Sequence, residues 1–275
     1  NGNYQIEELE EQSIPGYVWN SVPLKFSIDE NSKFIQDDEF GLMLEVKFEN
    51  KEVKGEIVIK KVGEKLVIEN GTFRYEEIEL DGVHYDLIAD GDIYSGDGTL
   101  IYKDKQLIKS FVTKDGYFKL INLYLGKYCL IETKTVGNHV LNSEPYCFEI
   151  KYKDQYTDTI KLIINQKNYL AKGDFELSKV DLSTGEPVEG ALIEIYTEDD
   201  ILIYSGRTDK LGKLYVKGLE SGKKYKFVEK EAPEGYILND EIHEFEILNN
   251  GDIVKDTLSN EKIVIDVPNT FANDY

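Results

Sequence analysis

Internal repetition is the feature of this sequence that most constrains its fold. A tyrosine followed four residues later by a glutamate occurs in three matching contexts, and the glutamates are Glu8, Glu132 and Glu229. A glycine followed six residues later by a lysine occurs twice in matching contexts, and the lysines are Lys61 and Lys179. Repetition at domain-sized intervals is typical of tandem copies of one structural unit. We therefore predict a chain of similar domains.

An asparagine completes each repeat. Asn50 and Asn168 each lie five residues before the glycine of a lysine phrase, and Asn269 closes the last repeat. The order lysine, glutamate, asparagine is complete twice, whereas the residues before Gly55 carry Glu8 and Asn50 without a lysine phrase. We predict three regions. Residues 1–54, the first segment, are the C-terminal part of a truncated domain, and they are followed by the middle unit (55–172) and the last unit (173–275).

Each unit has a sequence pattern typical of a β-sandwich. Short alternating apolar runs are separated by Gly, Asn and Asp turns, and no long run with a helical period is present. The 19 Tyr and 12 Phe also favour strands. We predict an all-β fold of tandem antiparallel β-sandwiches. The middle unit contains extra sequence at about 65–77 and 90–105, which we expect to form longer hairpins or loops.

The recurring lysine, glutamate and asparagine share strand parity with apolar residues. Lys61, for example, alternates in phase with Ile57 and Ile59, so these three side chains are expected on one face. Burial of an unpaired lysine or glutamate costs several kcal/mol, and such groups normally lose their charge instead. A neutral lysine amine is a nucleophile, a protonated glutamate can act as a general acid, and a carboxamide is an electrophile that releases ammonia. The pattern therefore predicts a self-formed Lys–Asn isopeptide bond in each complete unit.

Alternatives exist at several of these positions. A lysine at a strand end can extend its ammonium into water instead of being buried. Lys60 competes with Lys61, but parity favours Lys61, and Asn165 competes with Asn168, but the spacing to the next glycine favours Asn168. The first segment, with no lysine phrase, is not expected to close a bond by itself.

Two motifs resemble a known family. The run at 222–236, Gly-Lys-Lys-Tyr-Lys-Phe-Val-Glu-Lys-Glu-Ala-Pro-Glu-Gly-Tyr, and the turn at 184–191, Thr-Gly-Glu-Pro-Val-Glu-Gly-Ala, are similar to the Cna B-type, SpaA-like isopeptide-forming domains of Gram-positive surface adhesins and pilins. The resemblance implies a transthyretin-like or immunoglobulin-like (prealbumin-like) sandwich with a catalytic glutamate. It also implies these cross-links: Lys179–Asn269 with Glu229, and Lys61–Asn168 with Glu132. The middle unit departs from the family phrase at 135–139, where Thr-Val-Gly-Asn-His replaces Ala-Pro-x-Gly-Tyr.

Charge and composition exclude several other functions. The 53 acidic and 32 basic residues give a formal charge of −21, which argues against binding to nucleic acid or to an anionic membrane. Three His and two Cys offer little for a metal or histidine-based site, so we predict no metal and no cofactor. Cys129 and Cys147 lie on strands that we expect to be adjacent and could face outward. The sequence leaves both a disulfide and two free thiols open.

Two functional hypotheses follow from the resemblance. The first is a structural stalk or spacer in a surface adhesin or pilin, with the neighbouring domains of the same protein as its partners. The second is an adhesin module that binds a host matrix protein or glycan directly. Either protein would be extracellular and anchored to the Gram-positive cell wall, with signal peptide and anchor outside these residues. Turnover of an external substrate is not expected, because the lysine and asparagine are consumed in one self-directed event.

Overall fold

The chain folds almost entirely into β-strands, as a computed structural model shows. The structure describes residues 2–248 and 262–269, and for 262–269 it describes the backbone pairing alone. Within these residues one short 3₁₀ helix occurs, at Glu10–Gln12. No helix in the described part of the chain is long and apolar enough to cross a lipid bilayer. The prediction of an all-β fold is confirmed.

The first segment contains six short strands in three two-stranded pairs. Antiparallel pairing joins β1 to β3, β2 to β6 and β4 to β5. The strands are β1 (Gly2–Ile6), β2 (Tyr17–Val18), β3 (Leu24–Ile28), β4 (Ile35–Asp37), β5 (Gly41–Met43) and β6 (Lys51–Glu52). Most of its large apolar side chains are partly or fully exposed, so this segment lacks the packed core of the other two regions.

The middle unit is built from two main sheets. One has the strand order β12-β9-β14-β15, and the other has the order β13-β7-β16, with β8 paired to the end of β7. The strands are β7 (Lys54–Glu69), β8 (Thr72–Glu79), β9 (His84–Ala89), β10 (Ile93–Tyr94), β11 (Leu100–Tyr102), β12 (Leu107–Val112), β13 (Tyr117–Leu123), β14 (Gly126–Lys134), β15 (Tyr146–Ile150) and β16 (Thr159–Asn168).

The last unit repeats this arrangement. Its sheets have the orders β20-β17-β23 and β19-β18-β21-β22. The strands are β17 (Lys172–Asp181), β18 (Leu192–Thr197), β19 (Leu202–Arg207), β20 (Lys213–Glu220), β21 (Lys223–Glu231), β22 (His243–Ile247) and β23 (Lys262–Asn269). The strand order of each sheet therefore matches its counterpart in the middle unit.

Antiparallel pairing dominates both units, but the first and last strands of each unit run parallel. β7 pairs with β16 so that Gly63 lies opposite Asn168. β17 pairs with β23 so that Asp181 lies opposite Asn269. In both pairs the asparagine lies opposite the residue two positions after the repeat lysine. The two ends of each unit thus meet in the same register.

Each unit has its own apolar core between its two sheets. In the middle unit Ile57 and Ile59 of β7 pack in one cluster with residues of β9 and β14, such as Leu87 and Tyr128. In the last unit Phe175 and its neighbours form a second cluster with side chains of β18 and β21. Alternate residues of each strand enter these clusters, because successive strand side chains point to opposite faces.

The extra sequence of the middle unit forms hairpins. Residues 93–102 form the β10–β11 pair, and the second half of β7 forms a long hairpin with β8. The tip of the β7–β8 hairpin reaches the last unit, where Ile68 and Phe73 pack against its core. Tyr75 of the same hairpin donates a hydrogen bond from its hydroxyl to the Gly218 carbonyl oxygen at 2.7 Å. The first of the two expected insertions is therefore a contact between consecutive units.

Candidate functional site

The structure brings Lys61, Glu132 and Asn168 together in the middle unit. The Lys61 Nζ donates to Glu132 Oε2 at 2.7 Å and to Asn168 Oδ1 at 2.5 Å. The Asn168 Nδ2 donates to Glu132 Oε1 at 2.5 Å. The three residues are 0%, 3% and 1% exposed, so water has almost no access to the cluster. The glutamate contacts both partners at once, as a group that moves a proton between them must.

Strand geometry explains why these polar side chains face the core. Lys61 follows Ile57 and Ile59 at intervals of two on β7, and all three are fully buried. Glu132 follows Tyr128 and Leu130 in the same way on β14, which belongs to the facing sheet. The parallel register of β7 and β16 then brings Asn168 beside the lysine.

Burial also sets the electrostatics of the lysine. Desolvation lowers the pKa of Lys61 below its ordinary value, and the hydrogen bond and negative charge of Glu132 oppose this shift in part. A lowered pKa raises the fraction of neutral amine, which is the nucleophilic form.

The two sequence alternatives lie on the opposite strand faces. Lys60 is exposed on β7, and Asn165 is exposed on β16. Side chains an odd number of positions apart on a strand point to opposite faces of the sheet. Lys60 therefore points away from Lys61, and Asn165 points away from Asn168. The structure therefore places Lys61 and Asn168, and neither alternative, in the buried cluster.

The last unit contains a matching lysine and glutamate. Lys179 Nζ donates to Glu229 Oε2 at 3.1 Å, and their side chains are 0% and 2% exposed. The same carboxylate oxygen accepts the backbone N–H of Asn239 at 2.9 Å. Desolvation lowers the pKa of Lys179, against the opposing effect of Glu229. The side chain of Asn269 lies outside the described residues, but its backbone occupies the β23 position that corresponds to Asn168 in β16.

The first segment contains the glutamate and the asparagine of the repeat. Asn50 Nδ2 donates to Glu8 Oε1 at 2.7 Å, and the backbone N–H of Asn20 donates to Glu8 Oε2 at 2.7 Å. Among the described side chains, no lysine forms an ion pair with Glu8. The structure thus brings Glu8 and Asn50 together, as it does Glu132 and Asn168.

Sequence reasoning missed two side chains of the middle cluster. Tyr85, which is 1% exposed, donates its hydroxyl to Glu132 Oε2 at 3.2 Å. Thr135 Oγ1 accepts from Asn168 Nδ2 at 2.8 Å. Neither residue recurs in the last unit. The residue paired with Glu132 is Tyr85, whereas the residue paired with Glu229 is Ile193. The residue three positions after Glu132 is Thr135, whereas the residue three positions after Glu229 is Ala232. Repetition, which revealed the triads, carried no signal for them.

The two cysteines are bonded to each other. Cys129 of β14 lies directly opposite Cys147 of β15, and their Sγ atoms form a disulfide with an S–S distance of 1.91 Å. Cys147 is exposed, and Cys129, which shares its face of the sheet and is absent from the apolar core cluster, is only 3% exposed because that outer face is covered there. The Asp90 side chain lies beside the two sulfurs.

Comparison with solved structures supports the fold. The Bacillus anthracis TIE protein is 26% identical, with a TM-score of 0.57, and the match covers 98% of this chain and 41% of that one. This chain therefore spans less than half of that relative. The C-terminal fragment of the pilus adhesin SpaC from Lactobacillus rhamnosus GG is 12% identical (TM-score 0.49, covering 80% of this chain and 99% of that one). The shaft pilin SpaA from the same organism is 15% identical (TM-score 0.31, covering 81% and 100%).

Sequence comparison identifies the family. A search of curated protein sequences gave no match. The profile of the SpaA family, described as a prealbumin-like fold domain, matches residues 55–166 and again residues 173–262. The two matched ranges begin with the first strands of the middle and last units, at the lysine phrases of the repeat. The chain therefore belongs to the SpaA family of prealbumin-like fold domains.

Proposed function

We propose that this chain is a structural stalk or spacer of a Gram-positive surface adhesin or pilin, and that Lys–Asn isopeptide bonds stabilise it. The observation that carries the proposal is the buried contact of Lys61, Glu132 and Asn168, which joins the first and last strands of one unit. The proposed residues of the last unit are Lys179, Glu229 and Asn269. The membership of the SpaA family, together with the resemblance of the repeat motifs to Gram-positive surface adhesins and pilins, supports a surface-protein role, and hence an extracellular location.

The proposed chemistry is an amide exchange within each unit. The neutral Nζ of Lys61 attacks Cγ of Asn168, so that an N–C bond forms and a tetrahedral centre develops. Glu132 takes the proton that the attacking nitrogen loses and delivers a proton to Nδ2, and the C–Nδ2 bond then breaks. Ammonia leaves, and the products balance as one secondary amide and one ammonia molecule. The contacts of Glu132 with both nitrogens support this role.

Proximity supplies most of the rate in this proposal. Folding places the amine and the carboxamide in contact, which replaces a bimolecular encounter by a unimolecular step. The product amide is neutral, so the cost of a buried ammonium is removed. The glutamate is regenerated but has no second substrate, so each unit reacts once and the chain is not a turnover enzyme.

The position of the bond suits a stalk. β7 and β16 run parallel at the two ends of the middle unit, and the bond would link them covalently. A pulling force applied through the chain would then pass along these strands and bypass the rest of the sandwich. The β7–β8 hairpin continues the mechanical path, because Ile68 and Phe73 pack on the next core and Lys172 forms an ion pair with Glu64 at 2.7 Å.

Among the residues that the structure describes, the exposed tyrosines do not mark a surface for direct binding of a host ligand. Exposed tyrosines with similar accessibility, such as Tyr94, Tyr117 and Tyr215, lie on different strands and in different units. A recognition surface would gather such rings in one concave patch. We therefore keep the stalk as the proposed function.

Intact mass spectrometry under reducing conditions tests the proposal. The purified chain is expected to weigh less than its sequence mass by two molecules of ammonia, one for each complete unit. The Asn168→Ala variant is expected to lack only one molecule of ammonia relative to its sequence mass. Fragment-ion mapping of the parent chain should place the bond of the middle unit between Lys61 and Asn168.

The same strand provides a matched control. Asn165→Ala removes an exposed carboxamide three residues away and is expected to leave both mass deficits intact. A full sequence mass for the parent chain would refute the proposed chemistry. A deficit that survives in Asn168→Ala would refute the assignment of Asn168.

A further inference from the structure

We propose that the two inserted hairpins of the middle unit hold both of its neighbours at fixed orientations, so that the three regions move as one body. The inference rests on non-covalent contacts that recur at two junctions. The first junction joins the first segment to the middle unit, and the second joins the middle unit to the last unit. All of these contacts lie outside the lysine–glutamate–asparagine clusters, so the inference stands independently of the proposed isopeptide chemistry.

The β7–β8 hairpin has one apolar face and one charged face. Four large side chains share the apolar face, because they form two directly opposed cross-strand pairs. The pairs are Leu66 with Tyr75 and Ile68 with Phe73. The exposed positions of the other face include Lys65, Arg74 and Glu76. A two-stranded hairpin is marginally stable in water by itself, and here Ile68 and Phe73 gain support from the core of the last unit.

The tip of this hairpin has a shape that allows close approach to the last unit. Asn70 and Gly71 have φ angles of 53° and 70°, as the two central residues of a type I′ turn require. A Cβ atom at Gly71 would lie 2.9 Å from Cδ2 of Leu202, the first residue of β19. A side chain at this position would push the tip away from β19. The glycine therefore serves the turn and the interface together.

A lysine at the start of β17 fastens the base of the hairpin to the last unit. Lys172 Nζ forms an ion pair with Glu64 Oε2 at 2.7 Å, and both side chains are 12% exposed. The same Nζ lies 3.8 Å from the centroid of the Tyr75 ring, which is close enough for a cation–π interaction. Glu64 Oε2 also accepts the backbone N–H of Leu170 at 3.1 Å. Salt screens such a shielded pair only weakly, so we expect it to persist at physiological ionic strength.

A second set of contacts crosses the same junction. Asn138 Nδ2 donates to the carbonyl oxygen of Ser221 at 3.0 Å and to Glu220 Oε1 at 3.2 Å. The backbone N–H of Ser221 donates to the Ala171 carbonyl oxygen at 2.9 Å. The last unit is thus contacted on both of its sheets, through β19 and through the end of β20. Contacts with both sheets oppose rotation about the linker, which a single contact would allow.

The first junction repeats this arrangement with the other insertion. Lys54, like Lys172, directly precedes the glycine of a lysine phrase. Its Nζ forms an ion pair with Glu52 and lies 3.1 Å from the centroid of the Tyr124 ring. Glu52 Oε1 also accepts the backbone N–H of Gly96 at 2.6 Å, and Gly96 lies in the turn between β10 and β11. Each junction therefore combines a linker lysine, a carboxylate, a tyrosine ring and an inserted hairpin.

The β10–β11 hairpin also packs closely against the first segment. A Cβ atom at Gly96 would lie 2.7 Å from ring atoms of Tyr17. The last unit has neither insertion, since residues 198–201 alone connect β18 to β19 and β17 ends two residues after Lys179. The middle unit thus carries both hairpins, and each hairpin contacts a different neighbour.

Fixed junctions have a direct consequence for a spacer. Domains that share only a small contact usually move relative to one another. At each of these junctions a shielded ion pair, a ring contact and a hairpin act together, and they restrict that motion. A spacer with fixed junctions holds its far end at a defined distance, whereas flexible junctions would let it fold back.

Pulsed electron–electron double resonance between two spin labels tests the second junction in the full chain. The labels are attached at Lys109→Cys in β12 and Glu246→Cys in β22, two exposed positions outside the junction, under non-reducing conditions that preserve the native disulfide. We expect one narrow distance distribution. In the Phe73→Ser, Lys172→Met double variant the distribution should widen at least about twofold, because the remaining contact area is small.

A matched control changes the opposite face of the same hairpin. The Lys65→Met, Arg74→Ser double variant alters only exposed side chains and should keep the narrow distribution of the parent. Near-ultraviolet circular dichroism checks that both cores remain folded. If the Phe73→Ser, Lys172→Met variant unfolds, Lys172→Met alone takes its place, since it leaves the apolar contacts of Phe73 intact, and the same widening is expected in direction.

Three results overturn the inference. They are a broad distribution in the parent chain, a junction variant as narrow as the parent, and a control variant as broad as the junction variant. The intact mass of the same samples reports ammonia loss separately. Failure of the proposed bonds would therefore be seen in the mass, and failure of the fixed junction in the distance distribution.

Discussion

Glu132→Gln is expected to block the bond of the middle unit and to lower the stability of that unit. Glutamine has nearly the same volume as glutamate, but its single amide oxygen can accept from only one of the two donors, Lys61 Nζ and Asn168 Nδ2, and it cannot transfer a proton between them. The variant should keep the strands and the apolar core of the unit in place while the amide exchange fails. Its intact mass is expected to exceed that of the parent by close to one ammonia.

Loop length gives the magnitude of the loss in stability. Lys61 and Asn168 are 107 residues apart, and a covalent link that closes a loop of this length stabilises the folded state by about 4.7 kcal/mol through the entropy of the unfolded chain. The variant also leaves the buried lysine without its carboxylate, which costs a further 3 kcal/mol or so. The melting temperature of a unit of this size should then fall by at least about 20 °C.

A double variant separates the two contributions. Lys61→Met together with Glu132→Gln also lacks the bond, but it carries no buried ammonium. Its free energy of unfolding is expected to be lower than that of the parent chain by about 4.7 kcal/mol, which is the contribution of the covalent link alone. Differential scanning calorimetry and urea unfolding measure both variants, and the last unit, whose Lys179 and Glu229 are unchanged, provides an internal reference transition.

Two results would contradict this reasoning. A Glu132→Gln chain that retains the full ammonia deficit would show that the glutamate is not required for the bond. A double variant that lacks the bond but loses less than about 1 kcal/mol would show that the link contributes little through the unfolded chain, against the loop-entropy argument.

Three further predictions concern the surroundings of the same cluster. Tyr85→Phe should still form the bond, since the last unit has Ile193 at that position, but mass spectra taken after synthesis should show slower closure and unfolding should be easier by about 1 kcal/mol. Replacement of Cys129 and Cys147 by alanine opens a link between residues separated by 18 positions and should cost about 3 kcal/mol in urea unfolding, with the ammonia deficit unchanged. In Asn168→Ala, Lys61 stays unlinked, and its pKa in the folded chain is lowered by burial. At pH values between this lowered pKa and the ordinary pKa of lysine, the unfolded chain therefore binds more protons than the folded chain. Stability should therefore rise with pH across this window in denaturation series, and a fall would contradict the pKa shift.

Repetition and parity were enough to predict the fold class and the central residues. The alternation that puts Lys61 in phase with Ile57 and Ile59 is a property of the local sequence, because a strand exposes its faces with a period of two. The recurrence of Glu132 and Glu229 at a fixed distance from a tyrosine likewise needs no structure. Parity also ranked Lys61 above Lys60, in agreement with their buried and exposed positions.

Contacts between distant strands could not be predicted in this way. Tyr85 enters the cluster because β9 pairs with β14 in a register that lies outside any local pattern. The disulfide required Cys129 and Cys147 to be directly opposite, and the burial of Cys129 on the outer face of the sheet was not visible in the strand pattern. β14 has three successive buried residues, Tyr128 to Leu130, because the face of the strand away from the core is also partly covered.

The sequence by itself therefore determined which residue types recur, in what order and on which strand face. The tertiary structure decided which of them meet. The parallel register of β7 and β16 brings Asn168 beside Lys61. The long β7–β8 hairpin contacts the next unit only because Ile68 and Phe73 pack against its core. Periodicity along a strand is local and can be read from the sequence, whereas register and packing depend on contacts between residues far apart in the chain.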